Sequence, residues 1–596
     1  MGIPVTRKMT RGIAKVLLLF LQRASFKQFY RYVEPIGLMT LAAALDRHGY
    51  CPRVFTGSIT DALPLLENMY RKEGVQAIAL YCDYENQNVV ESFARTAKGK
   101  YSVPVFAGGP QGYFLEAGFL RSSLCDAVGR GEGEQTLPEL LDFFVKGKGS
   151  LQEIAGITFL DATGQLIRTP DRPAIEDLDA LPVPRAEFSL TGKKTNLAVL
   201  TGRGCPFRCA FCFEGGNTRN VRLRSVQSVR EEIEQGFRDS PGIRYVWFAD
   251  DTFTLNPRRV TEFCGAMKEL RGRHDFVWFC DAHPSLIVKW PDMLPEMIEA
   301  GLVRMQIGIE TGSAKVVQLY GKSTDLTQIE QVVDLCVKQD LPQLCGNIIF
   351  GGAMETPETL AETEEFVTRL LRRAPGMLDI THTLYTPFPG TTMTQSPERF
   401  GIRPVDSASV TSTGDYPVAA TTGLSREHIA GGRRRFSRQI RQLMWDLTFQ
   451  GGVPHARIRR HYELYRRYGI SSTWHSLVYS QHVNFDRRFT LLGSSSARSL
   501  CEIPREELRL WRPVRIPYLG NTVDFRKEPP ELLGMPITPA EYQVILYCTG
   551  KFSIGELLER HEGSGRWKEQ WPQSEAEMIR ILQELENRQF LIFTRY

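Results

Sequence analysis

A chain of 596 residues is too long for one hydrophobic core and is sized for about three or four domains. Its 42% hydrophobic and 24% charged residues, both signs interspersed, are those of a soluble globular protein, and a net charge of +5 makes no case for nucleic acid as the main partner. Twelve scattered cysteines with a single cluster argue against a disulfide framework and for reduced thiols in a cytoplasmic protein.

The first apolar run, "VLLLFL" from Val16 to Leu21, falls far short of the roughly 20 residues that span a bilayer, so no membrane partner is expected. It reads as the buried first strand of a parallel sheet. A helix "IGLMTLAAALDRHG" follows, then "PRVFTG", a helix through Leu66, "VQAIALYC", a helix near Val89 to Lys98, "VPVFAGG" and "CDAVGRGEGEQTLPELLDFF". This alternation over residues 1–145 predicts an α/β, Rossmann-like doubly wound domain with its ligand at the strand carboxyl ends. Those ends carry Tyr81, Gly108 and Gly109, and Gly131, Glu132 and Gly133. Glycines there let a ligand approach the backbone, or merely make tight turns.

Residues 146–194 read as a linker, with a hairpin around Asp161 to Gln165 and the proline-punctuated "DLDALPVPR". From 195 to 395 the alternation resumes as "NLAVLTG", "YVWFADD", "FVWFCDA", "RMQIGIE", "CGNIIFGG" and "DITHTLYTPF", predicting a partial or complete TIM-type β/α barrel. A basic helical region spans 396–520, where Arg433 to Arg467 grip an acidic substrate or form a solvated face. Residues 521–596 read helix, helix, long helix, strand: a winged-helix-like domain.

"GCPFRCAFCFEGG" places Cys205, Cys209 and Cys212 on one loop after the first barrel strand. Soft thiolates at this spacing can wrap an iron-sulfur cubane and leave one iron open. Structural zinc would need a fourth ligand, and none lies nearby in sequence. Asp250 and Asp251 end the second strand and Glu310 the fourth; each contacts a cofactor or substrate, or caps a turn. Tyr385 and His382 flank the sixth strand end, and Cys280 ends the third, lining a pocket or packing in the core.

The stretch "TGRGCPFRCAFCFEGG", with Phe211 before its third cysteine, resembles the cluster loop of radical S-adenosylmethionine (SAM) enzymes. "YVWFADDTFTLNPRR", "GIETGS", "NIIFGGAMETPET" (Gly351 within it, Ala353 where proline is common) and "TPFPGTTM" resemble that family's later strand motifs. "EPIGLMTLAAALDRHGY", "FAGGP", "GRGEGEQTLPELL" and "DLDALPVPR" resemble the cobalamin-binding domain and linker of its cobalamin-dependent branch. Together these cover roughly residues 12 to 393.

The resemblance implies a 4Fe-4S cluster on the three cysteines, SAM chelated at the open iron and cleaved to a 5′-deoxyadenosyl radical, and cobalamin. Cofactor contacts are expected from Phe211, Asp250, Asp251, Glu310, Gly351, Tyr81, Gly108, Gly109, Gly131, Glu132 and Gly133. Many cobalamin domains carry D-x-H-x-x-G, whose histidine ligates cobalt; here Asp46-Arg47-His48 meets Cys51 in place of glycine and ends a helix. Cobalamin is therefore expected base-off, without a histidine ligand. The implied activity is methyl transfer to an unactivated carbon of a small molecule or peptide, with flavodoxin or ferredoxin as electron donor. Oxidative cyclisation or rearrangement is the alternative, and a cobalamin- or redox-responsive regulator a third reading.

Overall fold

The first strand, β1 (Lys15–Leu21), shows why its apolar run is unbroken: Val16, Leu18 and Phe20 enter one core layer, and Leu17, Leu19 and Leu21 the other. A strand alternates its side chains, so only a strand covered on both faces needs apolar residues at every position. Each of its leucines is 0% exposed, worth about 2 kcal/mol apiece by area removed from water. We describe this fold from a computed structural model covering residues 14–22, 35–83, 86–114, 116–191, 195–218, 220–403, 416–449, 452–476, 497–516, 519, 523–532 and 534–595.

Chain order continues with α1 (Ile36–Arg47), β2 (Cys51–Gly57), α2 (Ile59–Asn68), β3 (Val75–Tyr81), α3 (Gln87–Lys100), β4 (Val105–Gly108), α4 (Glu116–Arg121), β5 (Ala127–Gly129) and α5 (Gly133–Lys146). The strands order β2-β1-β3-β4-β5, all parallel. Apolar residues of α1 and α5 fill one layer and those of α2, α3 and α4 the other. The order reverses between β1 and β3, the place where doubly wound sheets open a ligand crevice. Two antiparallel strands, β6 (Ile157–Leu160) and β7 (Leu166–Arg168), extend this sheet. Their turn is set by the Asp161 carboxylate, which accepts from the N–H groups of Thr163 (2.8 Å) and Gln165 (2.9 Å). The expected hairpin is therefore present, but it belongs to the first sheet, which shortens the linker drawn at 146–194.

The second sheet comprises β8 (Asn196–Val199), β11 (Tyr245–Phe248), β12 (Val277–Ala282), β13 (Leu302–Glu310), β14 (Gln343–Phe350) and β15 (Leu378–Leu384), ordered as in the chain. Between β8 and β11 stand β9 (Gly202–Arg203), α6 (Phe213–Asn217), β10 (Arg222–Leu223) and α7 (Val226–Asp239). The later crossovers hold α8 (Pro257–Arg271), α9 (Pro284–Lys289), α10 (Met293–Glu299), α11 (Ala314–Leu319), α12 (Leu326–Lys338) and α13 (Pro357–Arg373). The pairs β8–β11, β11–β12 and β12–β13 are parallel. The sheet order ends at β8 and β15, an arc of the kind anticipated as a partial barrel. Among the described residues no helix is long and apolar enough to cross a membrane.

The chain divides into two compact units. One holds residues 1–329, 347–361 and 382–432, and so contains the first sheet, β8 to β13 and the carboxyl ends of β14 and β15. The other holds 330–346, 362–381 and 433–596. Within the second unit the helices Arg426–Phe449 (from Arg433) and His455–Tyr468 carry the expected basic run. Not all of that run faces water: Arg457 and Arg460 each bond the Asp340 carboxylate at 2.5 Å.

The terminal domain packs helices Pro539–Tyr547, Ile554–Leu558 and Glu575–Asn587 on a three-stranded antiparallel sheet whose central strand is Leu591–Thr594. Capping boxes at Thr538/Glu541 and Ser553/Glu556 start the first two helices. The outer strands are Ala497–Arg498 and Arg512–Arg515, and Leu500, Ile503 and Trp511 share the core with Leu582 and Leu591. The boundary expected at 521 therefore moves to before Ala497, because the last strand recruits partners that precede the helices.

Candidate active site

The cluster loop is held at its base by the β9–β10 hairpin, which pairs Gly202 with Leu223 and Arg203 with Arg222. Gly204 enters the loop at φ +90°, and a Cβ there would lie 2.4 Å from the Asn220 carbonyl oxygen and 2.8 Å from that of Thr218. Only glycine fits that turn. The Cys205 N–H donates to the Thr218 carbonyl (3.0 Å), and the Cys212 N–H to the Cys209 carbonyl (3.0 Å). The loop's centre is fixed by Ala210, whose N–H donates to Tyr320 (2.8 Å) and whose carbonyl accepts from Met393 (3.0 Å). Phe211 meets the Tyr320 ring edge-on at 4.8 Å. At the loop's end a Cβ on Gly216 would stand 2.9 Å from the Gly390 carbonyl oxygen, while Asn217 Nδ2 donates to Pro389 (3.3 Å). The "CFEGG" and "PFPG" segments are thereby fitted to each other.

Burial raises the Cys205 thiol above its ordinary pKa and pushes Cys209 up to about 12, against the opposing pull of the Lys322 charge. A frame that disfavours bare thiolate suits ligands that ionise on metal binding. The donor set fits an iron-sulfur cluster: three soft sulfurs on one backbone-pinned loop, with no fourth cysteine in that loop. Among the described residues no three His, Cys, Asp or Glu side chains gather tightly enough to hold a single ion.

Asp250 has a local assignment. It is 5% exposed and accepts from the N–H groups of Thr201 (2.6 Å) and Gly202 (3.3 Å) and from the Thr201 hydroxyl. Burial pushes its carboxyl up to about 6. Arg259 holds the other side of Thr201, donating to its hydroxyl (3.2 Å) and carbonyl (3.0 Å). Asp250 and Arg259 thus latch the chain leading into the loop, rather than the turn that follows Asp250. Asp251 accepts from the Gly204 N–H. Beside it Glu214, not singled out in the sequence, is pushed up to about 7 by burial and then by the Asp251 charge.

Glu310, at φ +67° and 8% exposed, accepts from Lys322 Nζ at 2.7 Å. Lys322 also donates to the Gly308 carbonyl. Gly351, at φ +79°, donates its N–H to Glu355 at 2.6 Å, and burial pushes that carboxyl up to about 8. Tyr385 packs with Ala210, Tyr320 and Met393, resolving it as core. Cys280 is 0% exposed; its neighbour Asp281 lies on the other strand face and is pushed up to about 7 by burial. On that face Trp247 stacks on Phe279 (5.9 Å) and Arg304 lies over the same ring (5.4 Å). His283, just past β12, stacks on Phe207 of the cluster loop at 3.7 Å.

At the first sheet's carboxyl ends, Gly109 has φ +101°, and a Cβ there would stand 2.8 Å from the Cys82 carbonyl and 3.1 Å from the Tyr81 ring. Gly112, unnoticed in the sequence, comes closer still: its Cβ would lie 2.2 Å from the Gly129 carbonyl. Gly108 has open space, its nearest atom 3.8 Å away. These glycines let the turn after β4 pack backbone to backbone on the ends of β3 and β5, at the strand carboxyl ends where doubly wound sheets bind their ligands. Gly133 instead makes room for Leu41, 2.9 Å from its Cβ position, and Gly131 turns at φ +77°. Glu132 is engaged elsewhere: Oε1 accepts from Arg203 (2.8 Å), and Oε2 from Arg222 (2.9 Å) and the Ile175 N–H (2.6 Å). His48 is exposed beyond α1, its Nδ1 2.8 Å from the Ala44 carbonyl.

Comparison with known proteins bears on both regions. The B12 binding domain profile matches residues 25–141 and the Radical SAM superfamily profile residues 199–367. An "uncharacterized methyltransferase" of Pyrococcus horikoshii, PH0819, is 32% identical over 301 residues, 49% of this chain and 62% of its own length. The anaerobic magnesium-protoporphyrin IX monomethyl ester cyclase of Rubrivivax gelatinosus is 27% identical over 292 residues, 47% of this chain and 51% of its own. The chain thus spans little more than half the length of these curated relatives. In fold it is similar to the cobalamin-dependent SAM radical enzyme OxsB with aqua-cobalamin and SAM bound (TM-score 0.56, 16% identity, 80% of this chain and 72% of that one). The chain therefore carries a region matching B12-binding domains followed by one matching the radical SAM superfamily, matches that imply cobalamin, a 4Fe-4S cluster and SAM.

Proposed function

We propose that this chain is a cobalamin-dependent radical SAM methyltransferase acting on an unactivated carbon of a small molecule or peptide. The observation that carries the reading is the cluster loop itself: three thiols pinned by backbone at both ends and centre, its base bonded to the carboxyl end of the first sheet through Glu132. When bound, the cluster and cobalamin supply, respectively, the electron that cleaves SAM and the methyl carrier. Cys205, Cys209 and Cys212 hold the cluster. Gly109 and Gly112 set the close-packed turn at the first sheet's carboxyl end, where cobalamin would lie, with no histidine from this domain offered to cobalt. Phe211 and Gly351 would contact SAM, and Glu310, paired with Lys322, would supply a buried charged group for it. Trp247, Phe279, Arg304 and Asp281 present aromatic, cationic and acidic groups to the substrate side of the second sheet. An external electron donor is required, for which flavodoxin or ferredoxin is the candidate class.

Anaerobically reconstituted protein given methyl-labelled SAM, cobalamin, a reductant and a panel of scaffold and peptide substrates should yield a product one methylene heavier. A product lighter by hydrogen, with no methyl label, would support cyclisation, the reading favoured by the likeness to the Rubrivivax cyclase.

The terminal domain gives the peptide reading little help. The edge of its Arg512–Arg515 strand is already used, since the Arg515 N–H donates to Cys548 (2.6 Å) and the Pro513 carbonyl accepts from Gly550 (3.0 Å). Strand addition needs such groups free.

A further inference from the structure

Glu132 was expected to touch cobalamin, yet both its oxygens are committed to the other domain. The two arginines they meet, Arg203 and Arg222, stand opposite each other on the β9–β10 hairpin, at the two ends of the cluster loop. Arg203 immediately precedes Gly204 and Cys205, and its second guanidinium nitrogen reaches Glu134 Oε1 at 2.6 Å. Arg222 adds a bond to the Ile175 carbonyl (2.7 Å) while the Ile175 N–H returns one to Glu132 (2.6 Å). The side chains are largely buried: Arg222 is 9% exposed, Glu134 6%, Arg203 18% and Glu132 19%. Two carboxylates face two guanidiniums, so the charges balance.

Glu132 is the N-cap residue of α5, one step past the turn that ends β5, and its side chain makes no cap hydrogen bond. It therefore stands at the carboxyl end of the cobalamin-domain sheet and serves something other than its own helix. Buried ion pairs contribute little net stability compared with apolar packing of the same volume; what they add is one allowed geometry, because any other alignment strands a charge. Arg203 spans two carboxylates, one guanidinium nitrogen to each, so a displacement of the loop loosens both charge-assisted bonds together.

We propose that Glu132, with Arg203 and Arg222, is a positioning clamp that fixes the cluster loop against the cobalamin-bearing sheet end and so couples SAM cleavage to methyl delivery. This rests on the functional reading above. Effective molarity between two reacting groups collapses when their separation drifts by an ångström or so. Loosening the clamp should therefore leave each cofactor in place and each half-reaction alive, while the product formed per deoxyadenosine released declines.

The test uses the full-length protein as Glu132→Gln, Arg222→Lys and the double variant. Cluster iron, bound cobalamin and SAM cleavage should match the parent, while product per deoxyadenosine should fall about tenfold in Glu132→Gln. The double variant should be no worse than the worse single one, as expected of groups acting as a unit. The magnetic coupling between cob(II)alamin and the reduced cluster in frozen solution should broaden. Parental coupling ratio and splitting in Glu132→Gln would overturn the clamp, and so would loss of cobalamin from that variant, which would make Glu132 a cofactor contact after all. Arg222→Lys, which keeps the charge and changes the donor's reach to Glu132 and the Ile175 carbonyl, decides on the same readouts should Glu132→Gln not fold. If the parent itself binds no cobalamin or cleaves no SAM, the functional reading fails, and the clamp is judged by amide hydrogen exchange on the cofactor-free chain. Exchange through residues 202–223 should then quicken about tenfold in Glu132→Gln, and unchanged exchange would overturn it.

Discussion

The two cofactor regions solve the same problem by opposite means. In the cysteine loop side chains would be the ligands and the backbone is their frame: Ala210, Cys205 and Cys212 are fixed by main-chain hydrogen bonds on the loop that carries the three sulfurs. At the first sheet's carboxyl ends the backbone packs on backbone, with Gly109 and Gly112 pressed against the carbonyls of Cys82 and Gly129. Even the conspicuous carboxylate there, Glu132, turns away to Arg203 and Arg222. A redox cluster needs covalent donors, whereas a turn packed this closely needs glycines. The first requirement is met by a few irreplaceable side chains and the second by atoms that are missing.

If that contrast is right, substitutions should fail differently on its two sides. The largest effect is expected from replacing Cys205, Cys209 and Cys212 with alanine: cluster absorbance and deoxyadenosine formation should vanish while the far-ultraviolet circular dichroism stays native. SAM cleavage surviving in that variant would remove the side-chain half of the contrast.

The frame behind the thiols also titrates. Glu355 has an ordinary pKa of 4.5 and a folded one of about 8, raised by burial. The folded chain therefore holds a proton that the unfolded chain releases. Stability is undiminished below pH 4.5, declines as pH rises toward 8 and is level beyond. Glu355→Gln removes that slope, and its advantage over the parent should grow by a few kcal/mol between those limits, at about 1.4 kcal/mol per pH unit. Chemical denaturation at pH 5 and pH 8 measures it; equal differences at both would mean the carboxyl ionises freely.

On the other side, Gly112→Ala should cost about 1–3 kcal/mol, since its Cβ would press on a backbone carbonyl that cannot rotate away. Cobalamin affinity should weaken while the cluster is kept, and a variant as stable as the parent would show the turn to be roomier than drawn. The smallest effect is expected at His48. His48→Ala should change stability by less than about 0.5 kcal/mol and leave the bound cobalamin spectrum base-off and unaltered; a shift in that spectrum would restore the histidine to cobalt.

What could be read in advance follows the same contrast. Thiols are rare and their spacing is local, so Cys205, Cys209 and Cys212 declare themselves within eight positions of "CPFRCAFC". The unbroken run of β1 declared a strand covered on both faces. Lys322 and Glu355 did not stand out, because each acquires meaning only through a partner the fold supplies: Glu310 for the first, the Gly351 N–H for the second. Glu132 was noticed only as a carboxylate at a strand end; its partner Arg203 lies 71 positions away, out of reach of any periodicity. The terminal boundary was misplaced for a related cause. A strand as short as Ala497–Arg498 has no pattern of its own and exists because Leu591–Thr594 needs a neighbour.

Gly308 has a consequence for how this chain can change over time. A Cβ placed there would lie 2.4 Å from Lys322 Nζ and 1.9 Å from Glu310 Oε1, so the lysine ammonium sits in the volume the glycine gives up. Positions 308, 310 and 322 thus behave as one unit divided between separate places in the chain. Any side chain at 308 meets the Glu310 carboxylate first and the ammonium next, so it breaks the pair from both sides. Among descendants of this sequence positions 308, 310 and 322 should therefore vary together or not at all, and a side chain at 308 should be tolerated only where both members of the ion pair have changed.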